Sequence, residues 1–132
     1  MKKIINTPNA PAPIGPYNQA IMTGDMLFIS GQIALIPGTG ELANADLTEE
    51  ANQVMRNLKA ILTEAGMDFS HVVKTTIFLS DMNLFGSVNE IYGSYFTADQ
   101  ASGQAGYPAR ETVAVKGLPK NVHVEISMIA SK

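Results

Sequence analysis

The chain has no cysteine and no tryptophan, and only two histidines among its 132 residues. Without cysteine the protein cannot form a disulfide, use a thiolate as a nucleophile or bind zinc through sulfur. Because His71 and His123 lie far apart in the sequence, we expect no multi-histidine site and no bound metal. Any chemistry must then come from carboxylates, hydroxyls, backbone groups and a few basic side chains.

The charge and hydropathy of the chain argue against three further classes of protein: nucleic-acid-binding, membrane-spanning and secreted. The formal net charge is −3, whereas a broad nucleic-acid-binding surface needs a basic face. No apolar run approaches the ~20 residues that span a bilayer, and the N-terminal lysines are not followed by the apolar stretch of a secretory signal. With 45% hydrophobic and 16% charged residues, we expect one globular domain over residues 1–132 in the cytoplasm.

Two helices are predicted from hydrophobic periodicity. The clearer one runs from about Thr48 to Ala65, where apolar residues recur at steps of three and four and give one apolar stripe. Asp46 or Thr48 can cap its start, and Gly66 is the expected stop. The second, Leu84–Phe96, has a shared apolar face but contains two glycines, each of which costs about 1 kcal/mol relative to alanine.

The remaining regular segments predict strands, with a tight turn at Gly24-Asp25. The strands that can be placed are Tyr17–Met22, Met26–Ala34, Val72–Ser80, Glu111–Lys116 and Val122–Ala130. The predicted order is βββαβαββ, an α+β fold in which right-handed crossovers place both helices on one face of a six-stranded mixed sheet. Several strands are apolar on both sides, so we expect the uncovered face to be buried by another copy of the chain.

Two charged residues are candidates for chemistry. Glu125 lies mid-strand, opposite in direction to Val124 and Ile126. It is either a solvated outer-face residue or, if a neighbouring subunit covers that face, a general base that positions water. Arg110 opens a strand after Pro108, and its guanidinium suits either a surface salt bridge or a bidentate grip on a carboxylate or phosphate.

Two other positions are less specific. Ser30-Gly31-Gln32 interrupts an apolar strand, which indicates either a simple bulge or the close approach of a ligand or another backbone. Tyr17, between Pro16 and Asn18, is either a core aromatic or a ring that lines a pocket.

Taken together, these residues belong to a set of short motifs spread over nearly the whole chain in a specific order. They are Ala12-Pro13-Ile14-Gly15-Pro16-Tyr17, Ile29-Ser30-Gly31-Gln32-Ile33, Val73-Lys74-Thr75-Thr76, Val88-Asn89, Tyr95-Phe96, Pro108-Ala109-Arg110, Leu118-Pro119-Lys120 and Val124-Glu125-Ile126. The set resembles the Rid family, also called YjgF or L-PSP endoribonuclease-like.

The resemblance implies a chorismate-mutase-like fold, a homotrimer with clefts between subunits, and no cofactor. The implied reaction is hydrolysis of 2-imino or enamine acids (2-iminobutanoate and 2-iminopropanoate) to 2-oxo acids and ammonia. By position, Arg110 would hold the substrate carboxylate and Glu125 would position or activate water. Gly31 and the backbone at Thr112 would contact the reacting end of the ligand. The cleft would also be lined, in part from the neighbouring subunit, by Tyr17, Ser30 and Asn89.

The chain departs from the family pattern directly after Arg110. The deaminase branch usually has a small residue and then cysteine, where this chain has Glu111 and Thr112. Glu111 adds a negative charge beside the proposed anion site, although strand alternation points its side chain away from that of Thr112. The loop Thr97–Gly106 is also longer than usual. Two other functions therefore stay open: a non-catalytic carboxylate-binding or regulatory protein and, less well supported, a ribonuclease.

The spacing of the two charged candidates raises one conflict. If the last two strands formed a tight hairpin with Gly117 opposite Val122, Glu125 would face Ala114. That position is four residues from Arg110, or about 13 Å at ~3.3 Å per residue, which a three-carbon substrate cannot span. Either these strands are not direct neighbours, or Glu125 acts through water.

Overall fold

A computed structural model describes residues 1–97 and 106–132 and confirms the α+β class and the order βββαβαββ. The strands and helices are β1 Lys2–Ile5, β2 Ala20–Thr23, β3 Met26–Gln32, α1 Leu47–Glu64, β4 Val72–Leu79, α2 Phe85–Gly93, β5 Ala109–Ala114 and β6 Val124–Ser131. The first strand is the one that the sequence analysis did not place. It has only four residues, three of them exposed, so it shows no clear alternation.

The six strands form one mixed sheet in the order β1-β2-β3-β6-β4-β5. Only β4 and β5 run parallel, and the other neighbouring pairs are antiparallel. The last two strands of the chain are therefore not a hairpin, because β4 lies between them. This confirms the first of the two alternatives for Arg110 and Glu125, namely that their strands are not direct neighbours.

The first helix forms as its periodicity predicts. Asp46 is the N-cap and accepts the N–H of Glu49 at 2.7 Å, so the alternative cap Thr48 is wrong. Gly66 follows the helix with φ 73°, a left-handed conformation that glycine adopts without steric cost. The buried stripe of α1 packs on β3 and β6 and closes the main core.

The second helix is shorter than predicted. A 3-10 turn, Met82–Leu84, precedes it, and Asp81 caps that turn by accepting the N–H of Asn83. The helix ends at Gly93, a residue with poor helix propensity. Tyr95 continues outside the helix and packs edge-on against Phe69.

The other strand ends shift by two or three residues for local reasons. β2 begins late because Gln19 is buried and its side chain bonds the N-terminal segment, including the N–H of Thr7 at 2.7 Å. β3 ends early because a register shift lies between Ile29 and Gln32. β6 begins late because a 3-10 turn, Pro119–Asn121, precedes it.

The turn at Gly24-Asp25 is confirmed, with Gly24 at φ 57°. Most of the predicted long loop, residues 98–105, lies outside the described residues.

The sheet face opposite the helices is uncovered in the single chain. It carries Phe28 and Val113, which are 43% and 44% exposed, together with Ile21 and Ile129. Apolar side chains of this kind on one face favour contact with another surface. None of the helices in the described part of the chain combines the length and apolar character that crossing a membrane requires.

Candidate functional site

Arg110 lies on the helix-covered face of the sheet, at the edge strand β5. The register places it beside Thr75 of β4. Its guanidinium carbon is 5.2 Å from the ring centroid of Tyr92 and 5.6 Å from that of Phe85, so two aromatic faces hold the cation. Among residues 1–97 and 106–132, no carboxylate pairs with it.

Tyr92 keeps its own proton beside this cation. Its hydroxyl donates to Thr75 Oγ1 at 2.9 Å. Burial raises the pKa of Tyr92, although the hydrogen bond to Thr75 and the charge of Arg110 act the other way. The phenol therefore stays neutral at physiological pH and leaves the positive charge of Arg110 uncompensated.

A concave surface of about 350 Å³ opens beside the guanidinium, and we call it the Arg110 pocket. Its lining combines one cation, one amide and two phenol rings, from Asn89, Tyr92, Gly93, Tyr107, Pro108 and Arg110. A few polar groups in an apolar wall are typical of sites for small molecules. This pocket suits an anion that carries a small apolar group.

Glu125 lies in a second pocket, on the opposite face of the sheet. The Glu125 pocket is lined by Pro11, Ala12, Ile14, Tyr17, Gln19, Gly31, Gln32, Ile33, Leu35, Pro119 and Glu125. Its volume is about 40 Å³, which is room for ordered water. Burial raises the pKa of Glu125, so the carboxyl is a better proton acceptor than an exposed glutamate.

Gly31 is the residue that makes room for this carboxylate. A Cβ at position 31 would lie 2.7 Å from Glu125 Oε2, which is closer than real Cβ atoms approach. The sequence analysis left a bulge and a close approach as alternatives for Gly31. The structure has an irregularity of β3 between Ile29 and Gln32. The group that approaches Gly31 is the side chain of Glu125 and not the expected ligand or backbone.

The remaining predicted site residues divide between the two faces. Tyr17 lines the Glu125 pocket and its hydroxyl accepts the N–H of Ile14 at 3.2 Å. Ser30 Oγ donates to the carbonyl of Asn18 at 2.6 Å, which ties β3 to the Tyr17 loop. Asn89 lines the Arg110 pocket, and Thr112 is two residues from Arg110 on the same face. Thr112 Oγ1 is buried and has no hydrogen-bond partner among the described residues.

A single chain does not bring Arg110 and Glu125 together. Arg110 pairs with Thr75 and Glu125 with Phe78, three positions further along β4. An odd number of steps along a strand reverses the face, so the two side chains lie on opposite sides of the sheet. Each chain therefore carries two separate candidate pockets, one on each face of the sheet.

Glu111 does not oppose Arg110. Its side chain lies on the uncovered face, where it accepts a hydrogen bond from the hydroxyl of Thr76 and pairs with Lys74 Nζ at 3.0 Å. The hydrogen bond from Thr76, followed by that from Lys74, lowers the pKa of Glu111. Its charge is thus compensated on the face away from the guanidinium, as strand alternation predicts.

One residue near the site, Glu50, was missed by the sequence analysis, which gave it no role in the site. Glu50 is fully buried and bonds the start of β6, immediately before Glu125. A signal was available in its spacing, since Glu50 precedes Val54 by four residues and therefore lies on the buried stripe.

No group of three or more potential metal ligands is present within residues 1–97 and 106–132.

Comparisons with known proteins give a consistent set of relatives. The model of the family described as Endoribonuclease L-PSP matches residues 7–132. A RutC family protein of Pyrococcus horikoshii is 48% identical over 100% of this chain and 99% of its own length. The 2-iminobutanoate/2-iminopropanoate deaminase of mouse is 48% identical over 98% of this chain and 91% of its own. A crystal structure of E. coli TdcF with bound serine is similar at a TM-score of 0.88, with 42% identity and 98% of each chain covered.

Proposed function

Because the chain belongs to the L-PSP endoribonuclease (Rid/YjgF) family, whose members include 2-iminobutanoate/2-iminopropanoate deaminases, we propose that it hydrolyses small 2-imino acids. The products would be a 2-oxo acid and ammonia. Two features of the structure support the proposal: an arginine held between two aromatic rings in one pocket, and a partly buried glutamate with a raised pKa in another.

Arg110 is the proposed clamp for the substrate carboxylate. Its position against Tyr92 and Phe85 orders the guanidinium before a ligand binds, and a planar fork suits two parallel hydrogen bonds to a carboxylate. Holding the substrate in one orientation lowers the entropic part of the barrier. Asn89 lines the same pocket, and Thr112 lies two residues along β5 from Arg110. We propose that the Asn89 side chain and the Thr112 backbone also contact the ligand.

Glu125 is the proposed proton carrier. It takes a proton from a water molecule as the oxygen attacks the imine carbon, and it returns that proton to the nitrogen. The product of this addition carries a hydroxyl and an amino group on the same carbon. Glu125 transfers the hydroxyl proton to the amino group, the carbon–nitrogen bond breaks, ammonia leaves and the carbonyl of the 2-oxo acid forms. The raised pKa makes the carboxylate a stronger base for the first step. In the second step the protonated carboxyl is still a much stronger acid than an amine.

The proposed site needs more than one copy of the chain. Since Arg110 and Glu125 lie on opposite faces of one sheet, the Arg110 pocket of one copy must meet the Glu125 pocket of another. The uncovered face with Phe28 and Val113 provides an apolar contact surface for such an assembly. We propose the homotrimer that the family resemblance implies, with the sites between subunits.

The test is a coupled assay with a threonine dehydratase, which releases the imine that this protein would consume. Wild type should accelerate the appearance of 2-oxobutanoate. Arg110→Ala should raise KM roughly ten- to hundredfold, since a hydrogen bond to a charged group contributes about 1.5–3 kcal/mol. Arg56→Ala is the matched control, because Arg56 is an exposed arginine of α1 away from both pockets.

The same assay separates the alternatives. A carboxylate-binding protein without turnover would bind 2-oxobutanoate through Arg110 yet leave the rate unchanged. The charge of Glu111 no longer supports that alternative, because Lys74 compensates it on the other face. A ribonuclease would cleave RNA after stringent purification, with the cleavage lost in Arg110→Ala.

A further inference from the structure

Glu50, in the first turn of α1, has a carboxylate that is fully buried. Its Oε2 accepts the N–H of His123 at 2.7 Å and that of Val124 at 3.1 Å, and its Oε1 lies 2.9 Å from His123 Nδ1. A buried carboxylate is tolerated only where donors satisfy it. Here the donors all come from the start of β6, so this contact fixes α1 and β6 to each other.

Among the described strands, the start of β6 has no partner on the side that faces β3. Pairing with β3 ends at Gln32 opposite Ile126, after the register shift at Ile29/Gln32. Among the described strands, Val124 and Glu125 pair with β4 alone. The N–H of Val124 is therefore satisfied by Glu50, which takes the place of a strand partner next to Glu125.

The segment is also held from the other side. The carbonyl of His123 accepts the N–H of Ser80 at 2.9 Å, at the end of β4. Two residues later, the carboxylate of Glu125 lies in the space left by the missing side chain of Gly31. A small displacement of this backbone would move the carboxylate out of that space.

We propose that Glu50 is a positioning residue for Glu125: it holds the backbone at His123 and Val124 so that the Glu125 carboxylate stays against Gly31. The expected effect on kcat rests on the proposed function, whereas the expected position of the Glu125 carboxylate does not. The positioning role depends on hydrogen-bond acceptance and not on negative charge. Glutamine should therefore replace Glu50, since its amide oxygen can accept both N–H groups and its NH₂ can donate to His123 Nδ1.

The kinetic test compares three variants in the dehydratase-coupled assay. Glu50→Leu should lower kcat on the order of ten- to hundredfold and leave KM within about twofold of wild type, because the Arg110 clamp is unchanged. Glu50→Gln should retain most of kcat. Ile61→Ala, a core truncation at the far end of the same helix, should destabilise the protein and leave kcat of the folded protein unchanged.

Two outcomes of that comparison would overturn the proposal. One is a wild-type kcat in folded Glu50→Leu, which would make the contact merely structural. The other is an equal loss in Glu50→Gln and Glu50→Leu, which would mean that the charge itself is needed. If Glu50→Leu does not fold, His123→Ala removes one donor, keeps both backbone bonds and should lower kcat roughly two- to tenfold.

A second measurement does not depend on deaminase activity. The carboxyl carbon of Glu125, assigned with Glu125→Gln, is titrated by ¹³C NMR in wild type and in both Glu50 variants. In Glu50→Leu the pKa of Glu125 should move back towards the ordinary range for glutamate, and in Glu50→Gln it should stay at the wild-type value. Identical titrations in wild type and Glu50→Leu would contradict the positioning role, whereas an inactive wild type would contradict only the proposed function.

Discussion

Gly31 leaves the space that the carboxylate of Glu125 fills. From the sequence, a glycine inside an apolar strand indicates either a bulge or a close approach, and nothing in the chain identifies the group that approaches. The structure identifies it, because a Cβ at position 31 would lie 2.7 Å from Glu125 Oε2. The contact joins two residues 94 positions apart in sequence, so it depends on strand order and register.

We therefore expect Gly31→Ala to displace the Glu125 carboxylate and to lower kcat by about tenfold or more. Gly117→Ala is the control, since a Cβ at Gly117 meets no atom within 4 Å. The two variants are compared by steady-state kinetics and by thermal unfolding. Equal kcat values in Gly31→Ala and Gly117→Ala would show that this contact does not matter for the reaction.

The raised pKa of Glu125 makes a pH-dependent prediction. Burial raises this pKa in the folded protein, so the unfolded chain loses its proton at lower pH than the folded chain does. The raised pKa therefore contributes to the free energy of unfolding below the pKa that Glu125 has in the unfolded chain. This contribution is lost as the pH rises through the pKa that Glu125 has in the folded protein. Glu125→Gln lacks this loss. Its free energy of unfolding relative to wild type should therefore increase between acid and neutral pH in urea titrations, and a pH-independent difference would contradict the shift.

The proposed anion-binding role of Arg110 could be predicted from the sequence, but the side chains that surround the guanidinium could not. A strand-opening arginine after Pro108 suggests anion binding, and the family resemblance strengthens that interpretation. The rings of Phe85 and Tyr92 that hold Arg110 belong to α2, and the sequence does not show that α2 packs over β5. The burial of Glu50 could be read from its spacing on α1, but its role depends on hydrogen bonds to the start of β6, which the sequence does not show.

At the scale of elements, the first helix was predictable because one long apolar stripe, a cap and a terminal glycine agree. The second helix was predicted too long, since the shared apolar face continues to Phe96 although the helix ends at Gly93. β1 could not be placed because its four residues have only one buried side chain. Short or weakly periodic segments depend on their tertiary neighbours, and local sequence does not record those.

The cap of α1 gives the prediction at this scale. Asp46 accepts the N–H of Glu49, so Asp46→Ala should lower the free energy of unfolding by about 1 kcal/mol. Glu64→Ala, at the exposed end of the same helix, is the control and should change it by less than about 0.5 kcal/mol. Urea unfolding measures both, and an unchanged midpoint in Asp46→Ala would contradict the capping role.

At the scale of the whole molecule, the Arg110 pocket and the Glu125 pocket lie on opposite faces of the sheet. The strand order places β4 between β5 and β6, and the register puts Arg110 and Glu125 on opposite faces. The sequence raised their separation as a conflict if the last two strands formed a hairpin, and its first alternative, that these strands are not direct neighbours, is confirmed. Both the apolar uncovered face and the divided site are explained if copies of the chain assemble with the Arg110 pocket of one against the Glu125 pocket of the next.

Mixing two impaired variants tests this account most directly. At a substrate concentration below the wild-type KM, Arg110→Ala and Glu125→Gln are each expected to lose most of the deaminase activity in the coupled assay. After the two are unfolded and refolded together, random assortment should give roughly a quarter of the sites an intact arginine from one chain and an intact glutamate from another. The account predicts that activity returns to about that fraction of wild type. Mixed assemblies that form and show no more activity than the separate variants would contradict it.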